Sequence, residues 1–168
     1  MTEATEPATS EPETTESTAD PEPHRRWGVT LFNDVWRLIE RADRSPDDEA
    51  LMIHQAHASL YHWLQAGTPN HAARGEWLCA RVYCVLERPE PALYHARRVL
   101  AICQRHGIGD WDLAFGYEAL ARAHALAGDR EQAQEWLARA RQAGTEIAAD
   151  EDRELLRSDL ATIPVPDR

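Results

Sequence analysis

The segment Phe115 to Gly144, FGYEALARAHALAGDREQAQEWLARARQAG, does most to limit what this chain can fold into. Two runs built from Ala, Leu, Arg, Glu and Gln, all strong helix formers, flank a Gly128-Asp129 turn. Small residues recur at the positions where two antiparallel helices would touch. The segment therefore predicts a helical hairpin. One hairpin cannot bury its own apolar stripe, so neighbouring hairpins and a closing element are expected around it.

The remaining sequence is consistent with that demand. A length of 168 residues suits a single domain. Residues 1–24 hold seven acidic residues and no Lys or Arg, with many Thr and Pro. A segment of this composition buries too little apolar surface to offset the entropy of ordering it, so residues 1–26 read as a disordered acidic tail. Setting those seven charges aside takes the formal net charge from −11 to −4. The folded part, residues 27–163, is then only mildly acidic, which argues against nucleic acid as a main partner. Residues 164–168 read as a flexible end. The tail has neither the basic start nor the apolar run of a secretory signal, and no stretch approaches a membrane span. Cys79, Cys84 and Cys103 are odd in number and lack CxxC spacing, which suggests buried free thiols in a cytoplasmic protein rather than a disulfide set or a zinc site.

Punctuation divides the chain into about seven helices. The first spans about Val29 to Asp43, with Leu31, Val35, Leu38 and Ile39 at helical spacing. Ser45-Pro46-Asp47-Asp48 offers a cap, a first-turn proline and early acids for a second helix ending at Gly67. Thr68-Pro69 starts a third that ends near Leu86, and Pro89–Pro91 a fourth closed by Gly107. Asp110 is placed to cap the fifth helix, and Asp129 with Gln132 the sixth. Asp150 opens a seventh that finishes before Pro164.

The fifth and sixth helices carry Tyr117-x2-Leu120-Ala121-x2-His124 and then Ala133-x3-Leu137-x2-Ala140. The third and fourth carry Cys79-Ala80-x2-Tyr83 and then Ala92-x3-Ala96-x2-Val99. This pattern resembles the tetratricopeptide repeat (TPR), with Ala121, His124 and Leu137 standing where that family has Gly, Tyr and Phe. The two units lie 41 residues apart, against roughly 34 in the family, so the fourth helix and its loop are expected to be longer than usual. Ala73–Trp77, Glu90–Ala96 and Asp112–Ala123 also show a looser likeness to small uncharacterised bacterial TPR-like proteins, which implies no activity. The resemblance implies an all-α solenoid of about three hairpins plus a C-terminal capping helix.

In that family the first helix of each hairpin lines a concave groove. Carried over, this places Arg74, Trp77 and Arg81 on one wall and Phe115, Glu118 and Arg122 on the next. Each trio is spaced i, i+3, i+7, and so shares one stripe of its helix. Such a strip could grip a carboxylate or phosphate, with Trp77 and Phe115 stacking on an apolar group. The plainer alternative pairs Glu118 with Arg122 along one helix and Arg74 and Arg81 with Glu76 or other acids.

The second helix supplies His54, His57 and Tyr61 on one face, and an i, i+3 histidine pair could reach one metal. The inward Glu of ferritin-like sites is missing, however, and histidines beside Tyr61 and Trp63 more often make hydrogen bonds at a helix interface. Ser59 reads as a packing residue, and Trp111 with Asp110 and Asp112 as helix-start chemistry. No GxSxG, P-loop, HExxH or dinucleotide loop is present. The expected function is a non-enzymatic scaffold without cofactor, monomeric or homodimeric, holding a peptide tail or small anionic ligand. A His-dependent metal protein or hydrolase built on residues 47–66, and a structural oligomerisation module, are the alternatives.

Overall fold

A computed structural model describes residues 21–164, and the remaining residues, including most of the expected acidic tail, lie outside that description. Seven α-helices make up the described chain: α1 Pro21–Ile39, α2 Pro46–Ala66, α3 Pro69–Val85, α4 Pro89–His106, α5 Asp110–Leu126, α6 Arg130–Gly144 and α7 Asp150–Ala161. No strand occurs among the described residues, and none of their helices is long and apolar enough to cross a membrane.

Most boundaries follow the punctuation. Ser45 and Asp48 form a reciprocal capping box at the start of α2. Gly107 closes α4 in the left-handed region at φ 63°, where L side chains are disfavoured. Asp129 accepts the Gln132 backbone N–H at 3.3 Å and caps α6.

Two starts differ from expectation. α1 begins at Pro21, so residues 21–26, assigned to the disordered tail, are helical. Arg25 Nε donates to the Ala66 carbonyl at 3.1 Å, and His24 meets His62 at 2.9 Å. These polar contacts hold an end of α1 that has little apolar surface of its own. At its other end α1 stops at Ile39 rather than Asp43, because Arg44 turns back to donate to the Ile39 carbonyl at 2.9 Å. Asp110 does not cap α5. Its backbone is left-handed at φ 53°, and its carboxylate accepts the Ala148 N–H at 3.2 Å, fastening the approach to α7.

Consecutive helices pack as neighbours throughout. α1 lies on α2, α3 on α4 and α5 on α6; α2 also meets α3, and α4 meets α5. The first helices α1, α3 and α5 touch in turn, and α7 rests on α5 and α6. Helices α3 and α5 have 17 residues each and start 41 residues apart; α4 and α6, with 18 and 15 residues, also start 41 apart.

Small residues permit the close approach. A Cβ at Gly75 would lie 2.8 Å from Leu60 Cδ1 and 3.2 Å from its Cα, so α2 and α3 nearly touch by backbone. The core of the described residues is four apolar clusters, and one side chain touches all of them. Trp77, partly buried, packs against each of them: the α1–α3 group around Met52 and Leu78, the Ala-rich α3–α5 group around Leu120, the Val99–Cys103 group, and the group that receives Leu156, Leu160 and Ile163 near the C-terminus.

Candidate functional site

The two predicted trios do come together, because α3 and α5 lie side by side in register. Trp77 Nε1 donates to Glu118 at 3.2 Å. The Trp77 and Phe115 rings meet edge to face at 5.7 Å. Arg122 Nε donates to Glu118 at 2.6 Å, the i, i+4 pair that the plainer reading anticipates, and Arg81 lies 3.7 Å from the same carboxylate. Arg81 also stands over Trp77 at 5.4 Å and Trp36 at 6.0 Å, within cation–π reach.

The arrangement is a closed layer rather than an open strip of free cations. Arg81 reaches the Asp159 carboxylate of α7. Arg122 donates to the Asp159 carbonyl and the Thr162 hydroxyl, each at 2.9 Å. Arg74 makes a bidentate pair with Asp112 at 2.8 and 3.0 Å, and its guanidinium stacks 4.4 Å from the Trp111 ring. Arg74, Arg81 and Arg122 thus face Asp112, Glu118 and Asp159, and the layer's formal charges cancel. Glu118 is 1% exposed and the Arg81 side chain 10%.

Phe115 is buried, and the gap it shares with Phe32, Trp77 and Trp111 is about 40 Å³. That holds little more than a water molecule, so the expected stacking of Trp77 and Phe115 on a ligand is corrected to an edge-to-face contact with each other. Beside Arg81 and Arg122 a hollow of about 220 Å³ opens, bordered by Cys84, Val85, Leu126 and Pro164. Burial, and then the Glu118 charge, push the Cys84 thiol up to about 12, so it is not a ready nucleophile at neutral pH.

Residues of the layer that sequence reasoning missed are Asp112, Trp36, Asp159 and Thr162. Asp112 looks like a first-turn acid; it is 7% exposed and also accepts from Asn70 at 3.0 Å. Nothing in its spacing marks Asp159 as a partner of α3. Glu76, offered as a partner for Arg74 or Arg81, instead binds Arg98 and His95 at 2.5 and 2.7 Å.

The histidine pair of α2 is divided. His54 is exposed, whereas His57 turns inward and meets the Tyr83 hydroxyl at 2.9 Å and the His95 ring at 5.2 Å. An i, i+3 metal pair of His54 and His57 is not what the structure brings together. His71 stacks on Trp63 at 4.3 Å and accepts the Thr68 N–H. Ser59 does more than pack: buried, it donates to the Gly28 carbonyl at 2.8 Å and ties α2 to α1. No protein-family model, curated protein or solved structure matches the chain.

Proposed function

We propose that the chain is a non-enzymatic scaffold of TPR-like hairpins that recognises a carboxylate-bearing helical segment of a partner protein on the face shared by α1, α3 and α5. One observation carries this reading: Arg81 and Arg122 already hold such a segment, the chain's own α7, through Asp159 and Thr162. The shared 41-residue offset of α3/α5 and α4/α6 supports the repeat character. The cancelled charges favour a protein segment over a small free anion. An anion alone would have to compete with Asp159, while a helical segment could also replace the apolar contacts of Leu156 and Leu160. A partner therefore presents an acid beside apolar residues at helical spacing and displaces α7 or extends along the face towards α1.

The test is capture of partners from native cell lysate on full-length protein. Asp159→Ala, which loosens the hold on α7, is expected to raise recovery of a specific partner. The double variant Arg81→Gln/Arg122→Gln is expected to lose it; because it also strips the buried Glu118 of its counter-charges, capture is compared at a temperature where circular dichroism shows the variant folded. Equal recovery by all three proteins would end this assignment.

A further inference from the structure

Among the described residues, His57 of α2, Cys79 of α3 and His95 of α4 bring one imidazole, one thiol and a second imidazole to a common point. Their ligating atoms all lie within 4.8 Å of one another. We propose that these three side chains bind a thiophilic divalent transition-metal ion of the zinc class, at a site separate from the arginine layer.

The donor set suits such an ion, since a soft thiolate and two imidazoles are what zinc selects over the hard oxygen ligands of calcium or magnesium. With bonds of about 2.1–2.3 Å, tetrahedral donors sit roughly 3.5 Å apart. Side-chain shifts of about an ångström close the present spacing. Three ligands leave a fourth position. Tyr83 lies against two of the three, its ring stacked on His95 at 5.6 Å and its hydroxyl on His57 Nε2 at 2.9 Å.

The surroundings prepare the donors. Glu76 accepts from His95 Nδ1 at 2.7 Å, which puts the proton on that nitrogen and leaves the Nε2 lone pair for a metal. Arg98 anchors the other oxygen of Glu76 at 2.5 Å. Burial alone would raise the Glu76 carboxyl, but the hydrogen bonds from His95 and Arg98 outweigh it and hold the group below its ordinary value, hence ionised. Burial, and then the neighbouring His95, lower His57, so its ring is neutral and able to ligate. Burial also raises the fully enclosed Cys79 thiol, with the Glu76 charge adding to it. The ion must therefore displace the Cys79 proton to solvent, and binding tightens as pH rises. Once it has done so, the ion and the Arg98 guanidinium face the Cys79 thiolate and the Glu76 carboxylate, which leaves one net positive charge.

Reduced, full-length protein carrying no histidine tag is titrated with Co²⁺ and then with Zn²⁺. The expected result is one Co²⁺ per chain, with thiolate-to-cobalt charge-transfer absorption and the intense visible bands of four-coordination, both removed by Zn²⁺. Cys79→Ser should abolish the charge-transfer band, and Glu76→Gln should weaken Co²⁺ binding by about tenfold or more. His54→Ala should change neither. If Cys79→Ser does not fold, the double variant Cys84→Ser/Cys103→Ser leaves Cys79 as the sole thiol and should keep the band. Absence of a charge-transfer band in the wild-type protein, its survival in folded Cys79→Ser, or its loss in the double variant would overturn the site. The trio would then be a hydrogen-bonded interface cluster only.

Discussion

Glu118 faces three donors at once: Trp77 Nε1 at 3.2 Å, Arg122 Nε at 2.6 Å and Arg81 at 3.7 Å. It is almost wholly enclosed, so removing it leaves two guanidinium groups without their shared counter-charge. Breaking a buried ion pair by deleting one partner costs about 3–5 kcal/mol. Glu118→Ala should lower the unfolding free energy in urea by about that amount, and a loss below about 1 kcal/mol would show that the layer is solvated. An exposed pair such as Arg139–Glu135 should contribute well under that. At this scale the sequence was informative about neighbours and silent about satisfaction. Trp77 and Glu118 occupy equivalent positions 41 residues apart, and because α3 and α5 pack in register those positions meet. The second carboxylate that Arg81 engages, that of Asp159, is 78 residues away and on no shared stripe.

The ends of α2, α3, α4 and α6 were legible because capping and stop signals act within a few residues. The start of α1 was not. Its first turns lack an apolar stripe and are held by Arg25 and His24 reaching the end of α2, a contact no local pattern encodes. Asp110 misled for the same reason, since an acid before a helix signals a cap while this one is engaged by Ala148. Close approach between helices gives a prediction at this scale. Gly75→Ala gains up to about 1 kcal/mol of helix propensity. The new Cβ, however, would meet both the side chain and the Cα of Leu60. Overpacking of this kind costs about 1–3 kcal/mol, so the variant should melt at a lower temperature than wild type. An equal or higher melting temperature would mean that α2 and α3 separate without penalty.

Across the whole molecule, α7 closes the end of the stack by placing Leu156, Leu160 and Ile163 among Phe115, Leu137 and Ile147. The same helix supplies Asp159 to α3, so the terminal element is coupled to the middle of the chain. Leu156→Ala should cost about 2–5 kcal/mol. Far-ultraviolet and near-ultraviolet signals should still fall together in one transition, because Trp77 links all the clusters. Two separated transitions would show that the C-terminal hairpin and α7 unfold independently. By itself the sequence determined the helical class, most helix ends and the 41-residue register, since propensity, capping and periodicity are local or repeat at fixed intervals. The tertiary structure alone decided which charges cancel and that His57, Cys79 and His95 converge. Those groups come from separate helices, and only the packing of α2, α3, α4, α5 and α7 sets the distances between them.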